Sequence, residues 1–245
     1  MISVRNLRKT LGTNEVLRGV DLEIASGETC VIMGRSGCGK SVLLKHFIGL
    51  FKATSGEVWV EGEDVTHLPE RKLGHLRKKL GMLFQSGALF DSMNVEENIA
   101  FPLREAGMKN TKEIRDRVAE ALEMVDLAGE QKKMPEDLSG GMRKRVGLAR
   151  TIVGRPACIL YDEPTTGLDP IATDSINHLI RRLQKKLAVT SVVVTHDMKT
   201  AFHTADRIAF LHEGRIYFHG LPAELRASKD EAIVNFIEGN SGESD

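Results

Sequence analysis

The sequence predicts an α/β fold with a parallel-sheet core, an antiparallel β subdomain and an inserted helical subdomain. Short apolar runs carry the first part of that expectation. TCVIM (29–33), ACILYD (157–162) and SVVVT (191–195) each have the length and composition of a strand buried on both faces. The first and third are followed by a loop and then helical periodicity, the order that builds a parallel sheet. The helical part rests on an interruption: from Leu103 to Gly154 the apolar spacing changes to that of a helix.

The opening residues alternate. Ile2, Val4 and Leu7, then Leu17, Leu22 and Ile24, flank LGTN and predict an antiparallel hairpin or short meander. EVWVEGEDV adds a small turn unit bending at Gly62. In KEIRDRVAEALEMVDL, Ile114, Val118, Leu122 and Val125 share one helix face with charges opposite. GMRKRVGLARTIVG repeats the device with Met142, Val146, Ala149 and Ile152, and SINHLIRRLQKKL with Ile176, Ile180, Leu183 and Leu187. RIAFLHEGRIYFHG reads as a closing hairpin turning at Glu213 and Gly214. The expected organisation is one domain over 1–245, in which 1–85 and 155–238 form the catalytic core, 86–154 the helical subdomain and 239–245 a disordered tail.

Composition narrows the partners. The 245 residues carry 34 basic and 34 acidic side chains, so no net basic field recruits anionic lipid, and no nucleic-acid partner is expected. The three cysteines, Cys30, Cys38 and Cys158, form no CxxC pair and suggest neither a zinc site nor a disulfide framework, which fits a reducing, cytosolic setting. MISVRNLRKT lacks the apolar centre of a signal peptide, and no window approaches the roughly 18 apolar residues of a membrane span. The chain is therefore expected to meet a membrane only through another protein.

Chemistry enters with GRSGCGKS, which follows an apolar strand and precedes the helical VLLKHFIGL, the context of a phosphate-binding loop. Its residues are Gly34, Arg35, Ser36, Gly37, Cys38, Gly39, Lys40 and Ser41. The glycines let amides converge on phosphate oxygens at a helix N-terminus, Lys40 adds a cation, and Ser41 offers an oxygen to magnesium. CILYDEP ends a strand in Asp162, placed to hold magnesium through water, and Glu163, placed to polarise the attacking water. His196, just past the third apolar strand, is read as a donor to the γ-phosphate. Gln85, after another short apolar run, is read as a sensor of the metal and the attacking water.

A second glycine motif, LSGGMRKR (138–145), opens another helix. Ser139 serves as its N-cap, while free amides and the positive end of the helix dipole form an anion site. A plain cap needs only the serine; Gly140 and Gly141 imply that something approaches the backbone closely. A second copy of the chain, related by a two-fold axis, would present this motif to the first copy's γ-phosphate and create two identical composite sites.

With the phosphate loop, Gln85, LSGGM, YDEP, GLDP and His196 in this order, the chain resembles ATP-binding cassette (ABC) ATPases over nearly its whole length. The resemblance implies the ABC form of the P-loop NTPase fold, with ATP and Mg2+ as ligands and the metal at Ser41, Gln85 and Asp162. It implies a homodimer in which the LSGG helix completes the opposite site, with Glu163 as catalytic base, His196 as switch residue, and Asp169 in a loop linking the two sites. Leu11 stands where the family commonly stacks an aromatic ring on adenine, which implies weak nucleotide binding; a lost stack is worth about 1–3 kcal/mol. Val42 replaces a usual threonine near the α-phosphate, and Met142 a common glutamine.

By the same resemblance, the region from Gln85 to Phe101 receives a coupling helix from an integral membrane permease. Leu89, Phe90 and Met93, expected as exposed apolar residues beside acids, suit such a groove, or else are simply buried locally. SGALFDSMNVEENIAFPLRE together with LSGGMRKR is similar to the ATPases of Mla/Mce-type lipid transporters. That similarity implies phospholipid as cargo, a substrate-binding lipid-transfer protein in the same complex, and a peripheral position on the cytoplasmic face of a bacterial inner membrane. An importer of polar solutes such as amino acids, and a soluble ATPase of iron–sulfur assembly, stay open as alternatives.

Overall fold

The computed structural model describes residues 1–240. β1 (Ile2–Leu11) and β2 (Asn14–Ile24) pair antiparallel from Ile2↔Ile24 to Leu11↔Asn14, and their alternating residues Ile2, Val4, Leu7, Leu17, Leu22 and Ile24 are buried. The expected hairpin is the observed one. β3 (Thr29–Met33), buried at every position, leads through the glycine loop into α1 (Lys40–Phe47). β4 (Ser55–Val60) pairs with β1, and β5 (Glu63–Asp64) returns along β4 after a bend at Glu61 and Gly62.

The chain continues through α2 (Glu70–Lys79), β6 (Leu80–Leu83), α3 (Val95–Glu105), α4 (Thr111–Met124) and α5 (Gly140–Ile152). β7 (Cys158–Asp162), α6 (Pro170–Leu187), β8 (Thr190–Thr195) and α7 (Met198–Thr204) follow. β9 (Arg207–His212), β10 (Arg215–Gly220), α8 (Pro222–Arg226) and α9 (Glu231–Glu238) complete the described elements. The last hairpin turns at Glu213 and Gly214, whose φ values of 46° and 76° are the left-handed pair that a tight two-residue turn needs.

Two compact units emerge: Met1–Gly74 with the chain from Thr190 onward, and His75–Val189. In the first, β2, β1, β4 and β5 form an antiparallel sheet, while β3 lies parallel to both β8 and β9, with β10 antiparallel to β9. The second holds the parallel pair β6 and β7 with helices α3 to α6. These boundaries differ from the segments 1–85, 86–154 and 155–238 drawn from sequence, because β6 and β7 group with the helices beside them. The expected tail, 239–245, falls outside the described residues from 241 on; Gly239, at φ 74°, ends α9.

Packing refines the helix faces. α4 buries Ile114, Val118 and Leu122, with Val125 as its C-cap. α5 buries Val146, Ala149 and Ile152, but Met142 is only half-buried, and Lys144, Gly147 and Leu148 are inside. Neighbours cover α5 on more than one side, so its buried arc exceeds a single apolar stripe. α6 buries Ile176, Ile180 and Leu183, while Leu187 is half-buried at the final turn. α3 starts well before Leu103: Asn94 and Glu97 form a capping box, and Pro102 lies inside the helix. An internal proline removes one backbone donor and hides a helix from sequence reading. Among the described residues, no helix is long and apolar enough to cross a membrane.

Candidate functional site: a phosphate loop, a strand-end acid pair and a capped glycine motif

In the first unit, the loop between β3 and α1 is shaped by close approach. A Cβ on Gly34 would stand 2.3 Å from the Leu211 carbonyl oxygen and 2.8 Å from Cys38 Sγ, so only glycine fits between the loop and β9. Gly39 is the N-cap of α1, and no side chain caps that helix. An uncapped helix start presents amides and a positive dipole end to an anion. Lys40 is 5% exposed, and its Nζ donates to the carbonyls of Gly34 at 2.8 Å and Arg35 at 3.0 Å. The ammonium is thereby held within the loop's own curve. Cys38, Ser41 and Val42 are half-buried, and Arg35, Ser36 and Gly37 are exposed.

His196 follows β8, whose Thr195 pairs with Met33 of β3. The exposed histidine and the phosphate loop therefore leave the same end of neighbouring parallel strands, the end at which open α/β sheets hold ligands. Leu11 ends β1 and is 41% exposed. Sequence reasoning passed over Val16, whose Cγ1 would lie 3.0 Å from a Cβ on Gly39; nothing in its type or spacing marks it.

In the second unit, Leu83 of β6 pairs with Tyr161 of β7, so Gln85 and the acids Asp162 and Glu163 also leave one strand end together. Asp162 is buried at 8% exposure. Glu163 adopts φ 49°, a left-handed conformation that costs a non-glycine residue energy and is concentrated at functional positions. Thr166 Oγ1 donates to its carboxylate at 3.3 Å. Gln85 is exposed, and its backbone carbonyl accepts from Lys144 Nζ. Burial pushes the Lys144 pKa down, while the charges of Glu163 and Asp162 pull it back up.

Ser139 is the N-cap of α5, accepting from the Met142 amide at 3.3 Å. The adjacent glycines are not crowded: a Cβ on Gly140 would meet only Leu168 Cδ2 at 3.4 Å, and one on Gly141 only Ala172 Cβ at 3.7 Å. Asp169 caps α6, accepting from the amides of Ile171 and Ala172 at 2.9 Å each. Beside Gln85 lies a groove of about 480 Å³ walled by Met82, Phe84, Phe90, Phe101, Pro102 and Arg150. Phe90 is 42% exposed, whereas Leu89 and Met93, expected to be exposed with it, are half-buried.

A buried lysine on a glycine loop between strand and helix, with a carboxylate pair ending another parallel strand, defines a P-loop nucleotide-hydrolysing protein. The chain belongs to the ABC transporter family, whose sequence profile matches residues 17–166. It is an ABC-type ATPase and binds ATP.

Its relatives carry different cargo names. It is 42% identical, over 97% of its length and 69% of the relative's, to the probable ribonucleotide transport ATP-binding protein mkl of Mycobacterium leprae. It is 42% identical to the methionine import ATP-binding protein MetN of Carboxydothermus hydrogenoformans, over 92% of this chain and 67% of that one. With the intermembrane phospholipid transport system ATP-binding protein MlaF of Haemophilus influenzae it shares 39% identity over 98% of this chain and 91% of that one. Among solved structures, the dimeric post-hydrolysis ATP-binding cassette MJ0796 with ADP and Pi superposes with a TM-score of 0.82 at 34% identity, covering 90% of this chain and 98% of that one.

Proposed function

We propose that this chain is the ATP-hydrolysing subunit of a bacterial transporter, that two copies close around two MgATP molecules, and that they drive phospholipid movement through a separate membrane permease. One observation carries the paired arrangement. Gly140 and Gly141 are not required by the fold of their own chain, since a side chain at either would meet ordinary contacts. Their smallness therefore serves something that arrives from outside, and a nucleotide held on a second copy's loop fits the amides and dipole exposed beside Ser139.

The loop glycines, Lys40 and the start of α1 bind the phosphates, and Leu11 supports the base. Glu163 accepts the proton of the attacking water, Gln85 orients that water, and His196 donates to the γ-phosphate as charge develops. Ser41, Gln85 and Asp162 all present oxygen, the donor set that suits a hard cation. Magnesium bound by those oxygens would supply positive charge to the phosphate oxygens. The γ-phosphate joins the loop of one copy to Ser139 of the other, with Asp169 in the link between the sites; cleavage removes that joint. Because ATP binds the closed pair preferentially, binding and hydrolysis shift the population between closed and open forms.

Phospholipid as cargo is supported by the similarity to MlaF along most of that protein's length and by the segment following Gln85, whose groove suits an apolar permease helix. The similarity to MetN, at 42% identity, favours one second reading, an importer of a polar solute, with the same engine. Gentle detergent purification of the tagged chain from its native membranes, followed by mass spectrometry, decides between them. A permease with a lipid-transfer protein and bound phospholipid is expected; a permease with a soluble solute-binding protein selects the importer, and soluble partners alone sink both.

The catalytic assignment is tested separately. Glu163→Gln is expected to lower turnover by roughly 100-fold or more while retaining ATP binding, so that ATP drives the variant into a dimer visible by sedimentation. Unchanged turnover would remove Glu163 from the chemistry.

A further inference from the structure

Lys144 lies in the second turn of α5, within the RKR run that follows the glycine motif. A lysine there is expected on a solvated face, yet it is only 5% exposed. Lysine is almost never buried without a partner, because its ammonium loses hydration that something must replace. Two things replace it: the backbone carbonyl of Gln85, which accepts from Nζ, and the negative field of Asp162 and Glu163.

The contact is part of a seam. Lys144, Gly147 and then Arg150 with Thr151 fall on one face of α5, at intervals of three to four residues. A Cβ on Gly147 would lie 3.0 Å from Leu83 Cδ1 and 3.1 Å from the Gly87 carbonyl oxygen, so helix and loop touch backbone to backbone. Arg150 donates to the carbonyls of Gly87 and Ala88 at 2.8 Å each, and Thr151 Oγ1 to that of Met82 at 3.2 Å. These contacts hold the strand end and the loop from Met82 to Ala88 along the helix that begins at Ser139. Lys144 differs from the rest of the seam because it also places a positive charge near the acid pair.

We propose that Lys144 is a positioning residue for ATP hydrolysis: its ammonium clamps the backbone of Gln85 to the glycine-motif helix, on the side of the acid pair Asp162 and Glu163. The inference rests on the reading of Gln85, Asp162 and Glu163 as the hydrolytic set. It adds a direct link between that set and the helix that presents Ser139. A shift of the loop on docking of a partner in the neighbouring groove would reach both through one side chain.

The test is steady-state ATP turnover by the full chain, recovered from its native membranes so that any permease stays bound, for Lys144→Met, Lys144→Gln and Lys144→Arg. Lys144→Met is expected to lower kcat by about tenfold or more with KM within about threefold, because the interaction acts on the chemical step and not on nucleotide capture. Lys144→Arg, which restores the charge and the donor, is expected to recover to within about threefold of the parent, and Lys144→Gln, a donor without charge, to fall between. Turnover by Lys144→Met within about twofold of the parent overturns the proposal, as does a Lys144→Arg protein as slow as Lys144→Met. So does a fall in kcat matched by an equal rise in KM together with a lowered unfolding midpoint, the signature of general damage. If Lys144→Met does not fold, Lys144→Gln carries the same decision. Glu163→Gln run in parallel separates the two ideas: a fully active Glu163→Gln removes the catalytic reading, whereas an inactive Glu163→Gln beside a fully active Lys144→Met removes only the positioning role.

Discussion

Leu11 and Glu163 illustrate opposite uses of a single residue. Leu11 ends β1 with 41% of its surface open, so the position offers a ligand an aliphatic side chain and no ring. Leu11→Tyr is expected to tighten ATP binding by about 1–3 kcal/mol, the worth of one base stack, with little change in kcat. Equal ATP affinity in titration calorimetry of parent and variant would show that another side chain already supports the base. Glu163, by contrast, is held at φ 49° directly after β7, where the surrounding fold must impose a conformation that glutamate disfavours. Its identity was legible in YDEP, but the strained backbone was not, because φ depends on how the strand leaves its sheet.

α3 is tied to its preceding loop by one buried polar side chain. Asn98 is fully buried, accepts from the Phe90 amide at 2.8 Å, and donates to the carbonyls of Phe90, Met93 and Asn94 at 3.1, 2.8 and 3.1 Å. It therefore ties the segment bearing Phe90, one wall of the groove beside Gln85, to the helix capped by Asn94 and Glu97. Asn98→Leu removes the side-chain partner of the Phe90 amide and the Met93 carbonyl and is expected to cost about 2 kcal/mol or more, read as a lower midpoint in urea unfolding. A midpoint unchanged from the parent would mean that water satisfies the freed groups. None of this was visible in FDSMNVEENIAFPLRE read as a string, because the partners of Asn98 become neighbours only when the loop folds back on the helix.

For the molecule as a whole, His46 sets an acid limit on stability. It is 2% exposed, its Nδ1 lies 2.7 Å from the Val42 carbonyl, and its ring meets Phe51 edge-on at 5.9 Å. Burial lowers its pKa against the pull of the Val42 carbonyl, with Lys9 pushing the same way as burial and the Lys52 carbonyl against it. The unfolded histidine titrates near about 6.5, so below that pH the unfolded chain gains a proton that the folded chain refuses. The stabilisation is complete above the unfolded pKa and is lost as pH falls toward the folded one. Tm should accordingly drop between about pH 7.5 and 5.5, and His46→Gln should lose less over the same interval. Parallel pH profiles would assign the acid sensitivity to other groups.

The sequence by itself determined the buried strands, the two hairpins, the phosphate loop and the cap at Ser139, because each is written in contiguous residues whose period or spacing has a physical reading, and the order of its motifs carried the family resemblance. Tertiary structure alone decided what distance along the chain conceals. Lys144 meets a carbonyl 59 residues away, so nothing in RKR distinguishes the buried cation from exposed Arg143 or half-buried Arg145. Pro102 masks α3 until its capping box and packing are seen. The freedom around Gly140 and Gly141 is likewise a property of space, not of spacing: a glycine pair looks the same in a string whether its own fold crowds it or leaves it open for a partner.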